Sequence, residues 1–443
     1  MKSKIKSDPI GKATVKTNQC HVIGVLDDAM QSLPLAQQQA IQQADQIIAA
    51  ERTIHLFQSE FKEDSEVIDL TGKMMQLPNI IKTSLENKKR VVVLATGDPL
   101  CHGIGHFLIK KLGKKSIRIF ANLSIVQLAF SHLGESWQAV KICSVHTKDM
   151  GEWDENSTFD HGLYALLQSI KNNDLLAIYT SPDNSPQRIA RMLMTENMAE
   201  QFEFSIFEKL LQDEEIVSIG LNVDHVAQSH YAEPNLLVIK RSKPREPAVL
   251  FGHQDNFYAQ RKPDKGLITR SDVRAVVLAK MQLQKNSIVW DIGAGSGSVG
   301  LEAASLCEQG YVYAIEKNCA DLSLIQANRK KMQLINYSIV CGKAPDKMEQ
   351  WPQPDAVFIG GSACQLKPLI TMICQKLNSG GSLVMNFITL ENLNESIEIL
   401  KALNLEWELT QLQTSHSKPI LKMNRLQADN LVWIVLVTLP EQA

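Results

Sequence analysis

Residues 288–300 read Ile288-Val289-Trp290-Asp291-Ile292-Gly293-Ala294-Gly295-Ser296-Gly297-Ser298-Val299-Gly300. The apolar run at the start favours a β-strand, and the stretch from Val299 to Leu306 has helical character, so the glycines fall on a strand-to-helix turn. A Rossmann-type fold binds adenosine cofactors at such a turn, where glycine permits positive φ and close backbone approach. Two registers fit. Gly295-x-Gly297-x-x-Gly300 matches the dinucleotide fingerprint, which alone is weak. Asp291-x-Gly293-x-Gly295-x-Gly297 instead places a carboxylate at the strand end, which repels a pyrophosphate and attracts the ammonium and sulfonium of S-adenosylmethionine (SAM). SAM is the favoured ligand. The next strand, Tyr311 to Ile315, ends at Glu316, near the spacing at which an acid bonds ribose hydroxyls in either cofactor class.

The chain has 443 residues, enough for two to three domains. Basic and acidic residues number 26 and 29 over residues 1–243, and 20 and 19 afterwards. Neither half is the basic body that grips a phosphate backbone, so a small organic substrate is expected and nucleic acid is not. The eight cysteines form no C-x-x-C pair, which indicates free thiols, no structural metal and a cytoplasmic setting. No stretch of 18 apolar residues is present for a membrane span. Residues 1–17 hold five lysines and are expected to form a disordered tail.

Prolines and alternating charges between residues 242 and 266 mark a linker. Before it, residues 18–241 alternate strands (Val22 to Val25, Arg90 to Ala95, Leu175 to Tyr179) with helical stretches (Leu35 to Ala50, Ile125 to Leu133). After it, residues 267–443 repeat the alternation around Trp290, Ile315, Val340 and Phe358. Each half is expected to be α/β.

In the first half, Thr96-Gly97-Asp98-Pro99, Gly103-Ile104-Gly105, Ser124 to Phe130, Leu133-Gly134 and Tyr179 to Pro186 resemble the tetrapyrrole methylase family. The second half, with Gly266 to Ala275 leading into Trp290 to Val299, resembles the decarboxylating precorrin methyltransferases. The resemblance implies a tetrapyrrole methylase fold of two α/β subdomains, then a Rossmann-like class I SAM methyltransferase domain. It implies methylation of a corrin precursor at carbon 5 by the first half, and methylation at carbon 15 with decarboxylation of the ring C acetate by the second. It also implies two SAM sites, a tetrapyrrole substrate and self-association into a homo-oligomer.

Carried over by motif, SAM contacts in the second half are Thr269, Asp291, Gly293, Ala294, Gly295, Ser296, Gly297, Glu316 and Ala344, with Gly360, Gly361 and Ser362 lining the acceptor pocket. In the first half SAM lies against Gly24, Gly97, Asp98, Pro99, Gly103 and Ser124, and His102 faces substrate. Arg270 and Arg274, four apart on a helix, are candidates for substrate carboxylates. The sequence departs from the family at Leu26, where a second glycine is usual, at Ala121-Asn122-Leu123 in place of Pro-Gly, at Lys343 in an acidic position, and at Ala363-Cys364. His102 and His106 are four apart, but the intervening glycines argue against a metal site on a regular helix. No catalytic acid, base or metal is assigned, since methyl transfer from a sulfonium needs chiefly positioning. The rival readings are an RNA methyltransferase, a nicotinamide-dependent dehydrogenase, and an enzyme active only in its second half.

Overall fold

The computed structural model describes residues 18–245, 249–261, 268–361 and 366–440. The expected tail, part of the linker and Ser362 lie outside the described residues. The chain divides into two compact units: one of residues up to Glu152, Ser169–Arg191 and Ala199–Lys243, the other of Trp153–Gln168, Met192–Met198 and the chain from Pro244 onward. Among the described residues, no helix is long and apolar enough to cross a membrane.

The first unit holds two five-stranded sheets. One comprises β1 (Cys20–Val25), β2 (Gln46–Ala49), β3 (Glu66–Asp69), β4 (Val91–Thr96) and β5 (Ile117–Phe120), all parallel in the order β3-β2-β4-β1-β5. β1 is buried along its whole length and β4 along its first four residues, as continuous apolar runs must be when a parallel sheet is covered on both faces. The helix expected from Leu35 to Ala50 stops at Gln42, and Gln46–Ala49 becomes β2. The reason is local: Ile47 and Ile48 are β-branched, fully buried, and paired to β3 and β4. The second sheet comprises β6 (Lys141–Ser144), β7 (Leu175–Tyr179), β8 (Phe202–Glu208), β9 (Ile216–Asn222) and β10 (Asn235–Arg241), ordered β6-β7-β10-β8-β9 and antiparallel except for β6 and β7. Val126, Ala129 and Phe130 of the helix Ile125–Leu133 pack with Ala177, Phe207, Leu236 and Val238 of this sheet.

The second unit is built on a seven-stranded sheet of order β13-β12-β11-β14-β15-β19-β16. Its strands are β11 (Ile288–Ile292), β12 (Tyr311–Glu316), β13 (Tyr337–Cys341), β14 (Ala356–Ile359), β15 (Ser382–Phe387), β16 (Trp407–Leu412) and β19 (Val432–Thr438). Strands β11 to β15 run parallel, while β19 is antiparallel to both its neighbours. An exposed hairpin, β17 (Ser415–Ile420) with β18 (Met423–Ala428), connects β16 to β19. This is the Rossmann-like arrangement expected for this half. Strand order reverses at β11, which is flanked by β12 and β14, so a crevice opens at its carboxyl end where α/β sheets bind ligands.

The same geometry brings three strand ends together in the first unit. A Cβ on Gly24 would lie 2.2 Å from the Gly97 carbonyl oxygen and 2.9 Å from the Asn122 nitrogen. Both neighbours are backbone and cannot rotate away. Gly24→Ala is expected to destabilise the first unit by about 1–3 kcal/mol through overpacking. Urea unfolding followed by circular dichroism checks this, and a wild-type first transition would refute it.

Candidate active site

In the second unit the loop after β11 is held open by three residues in the left-handed region: Gly293 (φ 74°), Gly295 (φ 59°) and Gly297 (φ 77°). A Cβ on Gly293 would come within 2.7 Å of the Gly361 carbonyl oxygen, so the loops after β11 and β14 meet backbone to backbone. The Gly293 and Ala294 amides donate to the Ile315 carbonyl at 2.9 and 3.2 Å, tying the loop to β12 as well. Gly297 then opens the helix Ser298–Leu306.

Glu316, only 6% exposed, closes β12. Its Oε2 accepts the Gly295 amide at 2.9 Å and its Oε1 the Asn318 amide at 3.0 Å. Around these groups lies a cavity of about 540 Å³, lined by Thr269, Arg270, Gly293, Ala294, Gly295, Glu316, Ala344, Gly360 and Gly361. Small-molecule sites commonly enclose about 300–1,000 Å³. A buried carboxylate at the end of β12 beside a glycine loop at this crevice suits SAM.

Asp291 differs from the expectation that it faces the sulfonium. It is 1% exposed and lies behind the loop, where Oδ2 accepts the Gly300 amide at 3.0 Å and Oδ1 has no partner. Burial, with the charge of Glu316 adding to it, raises its carboxyl to about 7 against the opposing Gly300 amide. A Cβ on Gly300 would sit 2.3 Å from Asp291 Oδ2. The third glycine of the dinucleotide-like register therefore serves this carboxylate. Ser296 is also buried, its hydroxyl without a partner, and neither it nor Gly297 lines the main cavity.

Arg274 corrects a second expectation. Its side chain is fully buried, donates to Glu302 at 2.8 Å and to the Thr269 carbonyl at 2.6 Å, and also reaches the His253 carbonyl and Asp255. Glu302 in turn accepts the Gly252 and His253 amides and the Tyr258 hydroxyl. This pair fastens the segment before Thr269 to the loop helix, and Arg274 is not part of the cavity lining. Arg270 sits at the cavity edge, 58% exposed, and pairs with Asp429 at 2.6 Å.

Sequence reasoning missed Asn386, Thr414 and Asp429, which also line the cavity. Asn386 Oδ1 is buried without a partner. It follows the turn at Gly380-Gly381 near the end of the next parallel strand, a position readable once the strand order is known. His416 Nε2 lies 3.1 Å from Asp429 and 3.2 Å from Asp272. The expectation of free thiols also fails at one pair: Cys319 and Cys341 form a disulfide, their Cα atoms 5.2 Å apart, because β13 pairs with β12 so that Cys341 stands opposite Glu316.

In the first unit, Gly97 (φ 71°) donates its amide to the Val25 carbonyl at 2.7 Å. Asp98 accepts the Leu100 amide at 2.8 Å, and a Cβ on Gly103 would strike the Pro99 carbonyl at 2.5 Å, so the loop folds onto itself. Ser124 caps the helix Ile125–Leu133 in a capping box with Gln127, which engages its hydroxyl as donor and acceptor. Its backbone is engaged as well, the amide donating to Gln127 Oε1 at 2.9 Å and the carbonyl accepting the Gln127 and Leu128 amides. Leu26, the departure from glycine, is buried. Asn122 bonds the Gly24 carbonyl at 3.2 Å, linking the ends of β1 and β5. His102, at φ 53°, stands 5.7 Å from the Tyr179 ring and lines an open groove with His106 and Lys110.

Residues 19–221 match the family described as Tetrapyrrole (Corrin/Porphyrin) Methylases, and residues 262–438 match the Precorrin methyltransferase domain. The chain is 28% identical over 309 residues to a precorrin-6Y C(5,15)-methyltransferase (decarboxylating) of Sinorhizobium sp, covering 68% of each. It is 37% identical over 169 residues to a cobalt-precorrin-6B C(15)-methyltransferase (decarboxylating) of Salmonella typhimurium, covering 38% of this chain and 87% of that one. A solved structure of a precorrin-6Y C5,15-methyltransferase from Geobacter metallireducens is 34% identical, with a TM-score of 0.41, covering 43% of this chain and 100% of that one.

Replacing Arg274 with methionine leaves the buried Glu302 carboxylate unpaired and is expected to cost about 3–5 kcal/mol in denaturant unfolding; a loss below about 1 kcal/mol would refute the anchoring role. Asp291 binds its proton more tightly folded than unfolded, so its contribution to stability falls as pH rises from about 4 to about 7. In Asp291→Asn that descent should be absent, seen as a flatter thermal midpoint against pH than wild type. Superimposable profiles would contradict it.

Proposed function

The chain belongs to the precorrin methyltransferases, joining a tetrapyrrole methylase domain to a precorrin methyltransferase domain, and we propose that it methylates a corrin precursor at carbons 5 and 15 and decarboxylates its ring C acetate in cobalamin biosynthesis. The observation that carries this reading is the cavity of the second unit, where Glu316, the glycine loop after β11 and Gly360-Gly361 after β14 meet at one crevice.

Bound SAM supplies an electrophilic methyl group that needs no metal or covalent nucleophile. The protein's part is to bind and aim. Glu316 accepts ribose hydroxyls while holding the Gly295 amide, Thr269 is presented by the Arg274 anchor, and Gly360-Gly361 leave room for the acceptor ring. Fixing two ligands in this way supplies effective molarities of about 10⁵ M or more. The conjugated macrocycle is the electron sink for decarboxylation.

The first unit is the proposed second SAM site, around Gly24, Gly97, Asp98, Pro99 and Gly103, with His102 toward substrate. One observation favours a narrower reading, in which only the second unit transfers methyl: the Ser124 hydroxyl is engaged by its helix cap. The protein is proposed to act in the cytoplasm and to self-associate into a homo-oligomer, the self-association supported by the exposed apolar residues Leu421, Met423 and Leu426 of the β17–β18 hairpin. The near balance of charge in both halves supports a small-molecule acceptor over nucleic acid.

Mass spectrometry of the product formed from a precorrin substrate and methyl-labelled SAM tests the reading. Two labelled methyls with loss of one carboxyl are expected. One methyl with that loss selects the narrower reading, and none refutes both. Glu316→Ala should weaken SAM binding about tenfold or more in calorimetry, since it leaves the Gly295 and Asn318 amides without their acceptor.

A further inference from the structure

The cavity of the second unit has two kinds of wall. At its rim Arg270 pairs with Asp429 at 2.6 Å, and Asp429 also accepts the Thr414 hydroxyl at 3.2 Å and lies 3.1 Å from His416. The Asp429 side chain is only 12% exposed, so Arg270 is tethered to a fixed point while 58% of its own side chain stays accessible. Beside Arg270 the lining also carries apolar side chains: Leu412 and Val432, paired in register on β16 and β19, Phe358 on β14, and Ile388 after β15 at the open edge, with Asn386 and Thr414 among them. The other cations in the lining, Lys317 and Lys343, follow β12 and β13, on the far side of β11 in the strand order.

Resting on the function proposed above, we propose that this cavity sorts the substrate's carboxylates. Arg270, positioned by Asp429, holds a carboxylate that survives the reaction, and the acetate lost as carbon dioxide lies against Leu412, Val432, Ile388 and Phe358. The physical reason is the change of charge along the reaction. A carboxylate in charge-assisted hydrogen bonds to a guanidinium is stabilised as the anion, which holds its carbon–carbon bond intact. An apolar wall does the opposite, because it solvates the anion poorly and the neutral carbon dioxide well. The bond to the carboxylate breaks, its electron pair enters the conjugated ring system, and carbon dioxide departs. The carbon left behind takes up one proton, matching the one released from the ring carbon that receives the methyl group. No further oxidant or reductant is required.

The test uses the full-length protein with a precorrin substrate and follows three quantities: SAM affinity by calorimetry, substrate affinity by absorbance titration, and carbon dioxide released per methyl transferred to carbon 15. Arg270→Ala is expected to weaken substrate binding about tenfold, with SAM affinity and the carbon dioxide to methyl ratio as in wild type, and Arg270→Lys to recover part of that binding. Leu412→Lys puts a cation on the apolar wall and is expected to lower the ratio about tenfold at unchanged SAM affinity. Ile388→Lys, at a position 72% exposed and tolerant of charge, should lower it in the same direction if the Leu412 variant fails to fold. A ratio that falls in Arg270→Ala, or that is unmoved in the wall variants, overturns the sorting while leaving the enzyme reading intact. Wild-type protein that neither methylates nor releases carbon dioxide overturns that reading and the sorting with it.

Discussion

Everything in the second unit depends on satisfying the backbone of one glycine turn. A strand that ends in a sharp turn leaves amides with no partner in sheet or helix, and buried amides without partners are costly. Here two carboxylates supply the acceptors from opposite sides: Glu316 takes the Gly295 amide in front, and Asp291 takes the Gly300 amide behind. The turn is held rigid, its front face left for a ligand. Asp291 thus acts through the loop, at the expense of burying a carboxyl whose proton affinity is raised to about 7.

A second buried pair sets the other wall of the cavity. Arg274 and Glu302, both without solvent exposure, tie the segment of Gly252, His253 and Tyr258 to the helix that the turn begins. A buried ion pair is a poor source of net stability, because desolvation offsets attraction, but breaking one is expensive. Its effect is to fix where Thr269 and Arg270 enter the cavity. Position is what methyl transfer asks of a protein, so the energy goes into geometry more than into added stability.

The first unit solves a similar problem with fewer polar groups. Gly24, Gly97 and Asn122 come from the ends of β1, β4 and β5, and the Gly97 and Asn122 backbones pass too close to Gly24 for it to carry a side chain. Asn122, standing where the family has a different loop, bonds the Gly24 carbonyl and so stitches two strand ends together. Departures from a familiar pattern here have local compensation, visible only when the strand ends are seen side by side.

The sequence by itself determined the Rossmann-like strand, turn, helix, strand and acid around Asp291 and Glu316, because hydrophobic period, glycine and charge are written within some thirty residues of one another. It also carried the α/β character of both halves. Tertiary structure decided what depends on residues distant in the chain. Arg270 and Arg274 are indistinguishable as a helical i, i+4 pair, yet one meets Asp429 at the cavity rim and the other meets Glu302 inside the core. Cys319 and Cys341 show no spacing motif, and sheet register alone brings them together. Asn386 and Asp429 became visible as part of the site only when β15 was placed beside β14 and β19 beside β15, since which strand ends share a crevice is set by sheet order and not by neighbours in sequence.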